Sequence, residues 1–170
     1  MSENEHWHRH LGAYGICLND EKLLVIQKGG GPYFGRYDLP GGTVEANESL
    51  AAAVQREFLE EAGINVQVKE NVGVCDYLIP YGLPKRSTSH IHHIAMFYLV
   101  QIIGGTPTRT PKKFEGQDSL GALWLPTKEM TADNSSPLVL QAIQWLQTKK
   151  LSFGLQRLDT WVVLKQNPLS

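Results

Sequence analysis

The sequence predicts a mixed α/β fold. Short apolar segments rich in branched residues alternate with two longer stretches whose apolar residues recur at helical spacing. The length of 170 residues suits one domain that can bury a hydrophobic core without disulfide bonds. We therefore expect a single domain over residues 1–150, followed by a C-terminal extension over residues 151–170.

The first half of the chain begins with a predicted hairpin, because two apolar segments, LGAYGICL and KLLVIQK, flank the polar tripeptide NDE. The glycine- and proline-rich stretch GGGPYFGRYDLPGG then predicts a loop. A helix is expected over residues 48–62, with Asn47 as its N-cap and Gly63 ending it in a left-handed conformation. Its residues Leu50, Val54, Phe58 and Ala62 form an apolar stripe that predicts packing on a sheet.

The second half predicts three strands and a helix. The strands are INVQVKENVGVCDYLI, HIHHIAMFYLVQII and LGALWLP, and the helix is SPLVLQAIQWLQTKK. The loop PYGLPKRSTS joins the first two strands. We expect the N-terminal stretch HWHRH to be a mobile polar terminus.

Composition excludes several classes of protein. A net charge of -1 does not favour binding to a nucleic-acid polymer. The start lacks the apolar segment of a signal peptide, and no apolar run is long enough to span a membrane, so a cytoplasmic protein is expected. The cysteines, Cys17 and Cys75, lie in apolar runs and predict buried thiols.

An acidic patch lies on the first predicted helix. Helical spacing places Glu57, Glu60 and Glu61 within an arc of about 100°. Clustered carboxylates repel one another, and such oxygen ligands suit Mg²⁺ or Mn²⁺. A solvated acidic helix face is the alternative interpretation of this pattern alone.

The surrounding residues match a known signature. Gly42, Glu48, Arg56, Glu57, Phe58, Glu60, Glu61, Gly63 and Ile64 occupy the defined positions of the Nudix box, and YDLPGG resembles its lead-in, with Tyr37 where a Trp is frequent. The chain thus resembles the Nudix hydrolases (MutT-like) over most of residues 11–147. The resemblance implies an α/β/α sandwich with a mixed central sheet.

The resemblance also implies a reaction, the metal-dependent hydrolysis of a diphosphate linkage in a nucleoside diphosphate-linked compound. Glu57, Glu60 and Glu61 would hold Mg²⁺ or Mn²⁺, and the carbonyl of Gly41 or Gly42 could add a ligand. By the same resemblance, Arg56 would pair with Glu48 and fix the loop against the helix. A catalytically silent nucleotide-binding module is the alternative function.

Nudix enzymes often recruit a further carboxylate from a loop near the last core strand. In KKFEGQDSLGALWLP this residue is either Glu115, whose longer arm adjoins Gly116, or Asp118, six residues before Trp124. We expect Glu115 to be the base, with Asp118 as the alternative.

Substrate contacts and assembly are less defined by the sequence. Loop positions suggest Tyr37, Arg86 and His92 as possible contacts to the substrate. Pro80, sixteen residues after Ile64, resembles the ADP-ribose pyrophosphatase branch of the family. The apolar tail predicts packing on a sheet edge or on a partner subunit, and a homodimer is expected.

Overall fold

The computed structural model describes residues 6–83 and 87–169. Its strands and helices, in chain order, are β1 (Trp7–Ile16), β2 (Leu18–Asn19), β3 (Lys22–Lys28), β4 (Tyr37–Asp38), β5 (Gly41–Thr43), α1 (Leu50–Glu57), β6 (Ile64–Pro80), β7 (His90–Gly105), β8 (Ser119–Pro126), α2 (Pro137–Thr148) and β9 (Gln156–Arg157). A π-helical turn, Phe58–Ala62, continues α1, and a 3₁₀ turn, Thr127–Glu129, follows β8.

The strands form two sheets. The first has the order β5-β1-β7-β6-β9, and the second joins β2, β3 and β4, with β8 paired to β3. Strand β1 runs parallel to β7, whereas β6 and β7 are antiparallel. Strand direction is therefore mixed, as the sequence predicted.

Helices cover opposite faces of this framework. Neighbouring residues of one strand point to opposite faces, so that Ala13 packs in the core beneath α1 and Tyr14 packs in the core beneath α2. Phe58 is fully buried in the first core, which stabilises the fold by roughly 2–3 kcal/mol. Trp145 anchors α2 in the second core. The arrangement is the predicted α/β/α sandwich.

Helix α1, with the turn that continues it, differs from its prediction at both ends. Ser49 rather than Asn47 caps it, since the Ser49 hydroxyl accepts a hydrogen bond from the amide of Ala52 at 3.1 Å. Asn47 instead takes a left-handed turn with φ of 63° before the helix begins. The last residues widen into the π-helical turn, which frequently occurs at functional sites. Gly63 ends the helix at φ 72°, as predicted.

Two segments expected to be irregular contain strands. The N-terminal stretch HWHRH is part of β1, because His8 and His10 pair in register with Ile91 and His93 of β7. The predicted mobile terminus is therefore wrong for residues 7–10. The loop before the helix contains the short strands β4 and β5, which the sequence did not indicate.

The C-terminal extension packs against the domain. Strand β9 lies parallel to β6 at the edge of the larger sheet. The indole Nε1–H of Trp161 donates to the carbonyl of Pro32 at 2.8 Å, and its ring meets that of Tyr33. In the described ranges, no helix has both the length and the apolar character that a membrane crossing requires.

Candidate active site

Arg56 organises the acidic end of a cleft. Its Nε and Nη2 donate to the two oxygens of Glu48 at 2.8 and 3.1 Å, which makes a bidentate ion pair. Nη2 also donates to the carbonyl of Thr43 at 3.0 Å. Arg56 thereby ties the loop after β5 to the helix, which is the pairing that the Nudix resemblance implied.

The same guanidinium draws two acids together. Arg56 Nη1 lies 3.0 Å from Glu57 Oε1 and 3.1 Å from Glu60 Oε2. Glu61 points elsewhere, since its Oε2 accepts a hydrogen bond from the amide of Gly41 at 2.8 Å. The predicted convergence of three carboxylates is therefore partial, because Glu61 turns inward from the π-helical turn.

Burial makes two of these acids hard to ionise. Glu61 is 3% exposed, and desolvation raises its pKa well above the ordinary value, although Lys28 opposes the shift. Desolvation also raises the pKa of Glu57, against the lowering effect of Arg56. A cation bound beside these partly desolvated carboxyl groups would favour their ionised forms.

The two glycines before the helix bring backbone close to these acids. Gly41 has φ of 145°, which L side chains rarely adopt. A Cβ at Gly42 would lie 2.6 Å from Glu57 Oε1, so a larger residue there would displace this carboxylate from its position. In the structure it is the Gly41 amide, not its carbonyl, that contacts an acid directly.

A buried lysine lies beside the acids. Lys28 Nζ contacts Asp118 Oδ1 at 2.9 Å. Burial lowers the pKa of Lys28, but Asp118, Glu61 and Asp38 together raise it above its ordinary value. Asp38 is 1% exposed, and desolvation raises its pKa to about 6. Sequence reasoning assigned no role to Lys28, which lies outside the motif, or to Asp38, which lies within the YDLPGG lead-in.

The loop before β8 closes one side of the cleft. The Gln117 side-chain amide donates to the Glu60 carbonyl at 2.9 Å, and the Ser119 hydroxyl donates to the Glu61 carbonyl at 3.2 Å. These bonds attach the loop to the π-helical turn. Glu115 and Asp118 both line the cleft, and Glu115 is exposed.

Another part of the cleft is built around His93. Its Nε2 lies 2.9 Å from the hydroxyl of Tyr14 and its Nδ1 lies 2.8 Å from the hydroxyl of Tyr33. Burial, followed by the nearby His10, lowers the pKa of His93 well below its ordinary value. A neutral ring has one donor and one acceptor nitrogen, so one tyrosine donates to it and the other accepts.

The predicted substrate contacts have different positions. His92 lies outside the cleft, because alternation along β7 turns it to Asp76, at 2.9 Å, while His93 faces inward. Tyr37 is not part of the cleft lining, since its strand is fixed to Asn134 and Ser136 by backbone hydrogen bonds. Arg86 lies outside the described residues. Alternation along the strand places His93 on the same inward face as Ala95 and Phe97, and this pattern could have identified His93 from the sequence.

The cleft has a volume of about 590 Å³ and combines the acidic end with a histidine- and tyrosine-lined end. Within residues 6–83 and 87–169, no three His, Cys, Asp or Glu side chains are grouped closely enough to hold a metal ion. The acids nevertheless fit a hard cation chemically, since carboxylate oxygens are its preferred ligands and Arg56 already brings Glu57 and Glu60 to a common positive group. Such a cleft can bind an anionic, ring-bearing compound beside a cation.

Comparison with known proteins agrees with this geometry. An ADP-ribose pyrophosphatase from Methanocaldococcus jannaschii is 36% identical over 98 residues, which cover 58% of this chain and 54% of that protein. The chain thus spans about half the length of this relative. The oxidized purine nucleoside triphosphate hydrolase of Mus musculus is 26% identical over 155 residues, which cover 86% of this chain and 94% of that protein.

Solved structures share the fold. The MutT NUDIX hydrolase from Burkholderia pseudomallei superposes with a TM-score of 0.61 at 23% identity, covering 81% of this chain and 97% of that one. A family model described as NUDIX domain matches residues 8–147. This match includes the acids, the arginine and the glycines of the cleft, and the chain therefore belongs to the Nudix family.

Proposed function

We propose that the protein is a metal-dependent pyrophosphohydrolase, which cleaves a diphosphate linkage in a nucleoside diphosphate-linked compound by attack of water on phosphorus. The observation that carries this proposal is the arrangement of Glu57, Glu60 and Glu61 around Arg56 and Gly41 at one end of a cleft of nucleotide size. Acids with raised pKa values in a cleft are typical of functional sites.

Glu57, Glu60 and Glu61 would hold Mg²⁺ or Mn²⁺, with Gly41 or Gly42 as a possible backbone ligand. The cation would neutralise phosphate charge and make bound water a better nucleophile. Arg56 and Glu48 position the acids by tying the helix to the preceding loop. Lys28 supplies a buried positive charge to which phosphate oxygens would be attracted.

A loop carboxylate is the proposed general base. Asp118 Oδ1 already accepts a hydrogen bond from Lys28 at 2.9 Å, so this oxygen is occupied and less available to take a proton from water. Glu115 lines the same cleft, and in the described part of the chain it contacts no cation or hydrogen-bond donor. Gly116, at φ 91°, gives the loop conformational freedom next to the Glu115 side chain. These features favour Glu115, with Asp118 as the alternative.

Separate Glu115→Gln and Asp118→Asn variants test the choice through kcat. A loss of about a hundredfold in only one variant would identify the base. Near-normal rates in both would assign the base to Glu57, Glu60 or Glu61.

We propose a class of substrates rather than a single compound. One relative is named for ADP-ribose and another for an oxidized purine nucleoside triphosphate. The tyrosine- and histidine-lined end supports a base or ribose there, with the phosphates at the acidic end. ADP-ribose is our first candidate, supported by Pro80 and by the archaeal relative.

A nucleotide panel tests the activity. Mononucleotide or phosphate release is measured with Mg²⁺, with Mn²⁺ and with EDTA, and we expect turnover of at least one compound that EDTA abolishes. Tight nucleotide binding without turnover across a broad panel would instead indicate a silent binding module. Full activity in excess EDTA would overturn the metal dependence.

We also infer that the enzyme is a cytoplasmic homodimer. Cys17 and Cys75 are buried free thiols, which agrees with a reducing compartment. The tail leaves Phe153 and Val162 exposed, and such apolar side chains favour a subunit contact. Light scattering after size-exclusion chromatography measures the mass, and a monomer at micromolar concentration would refute the dimer.

A further inference from the structure

A second cavity lies between α2 and the C-terminal extension, on the far side of Trp161 from the catalytic cleft. Its volume is about 600 Å³. Polar side chains line much of it, including Arg36, Gln141, Gln144, Gln156 and Arg157. None of these residues belongs to the proposed catalytic machinery.

Arg36 is the unusual residue in this cavity. It is only 6% exposed, yet its Nε and Nη1 have no hydrogen-bond partner among the residues that the structure describes. Its guanidinium carbon lies 4.2 Å from the centre of the Trp161 ring, which leaves the edge of the guanidinium for hydrogen bonding. Among the described residues, no acid forms an ion pair with Arg36.

Nearby charges do not offset the desolvation of the Arg36 guanidinium. Desolvation lowers the pKa of Arg36, and the opposing influence of Asp133, an exposed residue, is smaller. Arg157, at the same cavity, is already paired with Asp159 at 3.4 Å. A buried cation without a counter-charge is costly, so a ligand that supplies acceptors would be bound favourably.

A second unpartnered donor lies in the same cavity. Gln141 is 4% exposed, and its side-chain nitrogen has no acceptor within the described ranges of the chain. Its oxygen is engaged by Gln156 Nε2 at 3.3 Å, which fixes the amide with its N–H group free. Two residues that line this cavity, each more than nine-tenths buried, therefore carry unpartnered donors.

We propose that this cavity is a binding site for a small oxyanion, a phosphate or carboxylate group, held by the guanidinium of Arg36 and the amide of Gln141. The planar guanidinium matches the paired oxygens of either group. The cavity can hold a molecule larger than the anion itself, so the oxyanion is the recognised part of the ligand.

Trp161 provides a local reporter of this site. It lines the cavity, and its indole N–H donates to Pro32, which lines the catalytic cleft. NMR of the full chain, titrated separately with inorganic phosphate and with acetate at constant ionic strength, follows the Trp161 indole and Gln141 amide signals. We expect saturable shifts with at least one of the two anions, and the comparison identifies which oxyanion the site prefers.

Three variants distinguish the site from the catalytic cleft and from general salt effects. Arg36→Met retains the contact with Trp161 but removes the charge, and should weaken anion binding about tenfold or more. Gln141→Leu should weaken it severalfold, and it keeps the test usable if Arg36→Met does not fold. Arg109→Met, which removes an exposed loop arginine, should bind as the wild type does.

The proposal is overturned if neither anion shifts these signals. It is equally overturned if the shifts persist unchanged in Arg36→Met or in Gln141→Leu. Shifts confined to residues of the catalytic cleft would show phosphate binding there and also exclude this site.

Discussion

Replacing Arg56 with alanine should lower both stability and activity. The variant removes the bidentate pair with Glu48, the bond to the Thr43 carbonyl and the shared contact of Glu57 and Glu60. The side chains of Arg56 and Glu48 keep 23% and 13% exposure, so water replaces part of what is lost. We expect a loss of about 2 kcal/mol in unfolding free energy, which for a chain of this size is roughly 4–8 °C in Tm.

The pH dependence of this loss has a definite sign. Hydrogen bonding to Arg56 lowers the pKa of Glu48 in the folded state below its ordinary value of 4.5. The pair's contribution is therefore complete above pH 4.5 and is lost as the pH falls through the folded-state pKa. The difference between the variant and the wild type should be largest near neutral pH and should shrink in acid.

Urea unfolding at several pH values measures the effect, and kcat/KM is determined in parallel. Arg56→Lys keeps the charge but cannot pair through two nitrogens, so it should recover only part of the stability. Arg109→Ala, in an exposed loop, is the matched control and should change stability by less than about 0.5 kcal/mol. A variant Arg56→Ala with wild-type melting and wild-type rate would refute the positioning role.

Other changes test the remaining parts of the site. Glu61→Gln should leave the stability at pH 8 equal to or higher than that of the wild type, because it removes a buried carboxyl group whose pKa is raised, and kcat should fall by orders of magnitude. Loss of folding would instead indicate a structural role. Asp38→Asn should raise the free energy of unfolding by about 3 kcal/mol at pH 8 and by little at pH 4, because the pKa of Asp38 is raised to about 6 and its ionisation destabilises the folded state as the pH rises. Denaturant midpoints at both pH values measure this difference. Deleting residues 151–170 should cause aggregation or a change in oligomeric state, because the deletion uncovers the edge of β6 and the Tyr33 ring; a soluble, active truncation of unchanged mass would contradict this.

The sequence alone predicted those features that depend on the spacing of residues close together in the chain. Resemblance to the Nudix box indicated the family, and helical spacing predicted that Glu57, Glu60 and Glu61 share one face of a helix. Strand alternation likewise indicated the core strands and the mixed α/β class. Gly63 was identified as a helix end because its preference for positive φ is a property of the residue itself.

Contacts between distant segments were decided only by the tertiary structure. Ser49 rather than the predicted Asn47 caps the helix, because the path of the chain into the helix, and not composition, determines which side chain reaches the first free amide groups. Strand alternation separates His93 from His92, but only the pairing of β7 with β1 brings His93 to the Tyr14 hydroxyl in the cleft. Lys28 and Asp118 lie 90 positions apart, and no local pattern could pair them or predict how their burial shifts the charges of the site.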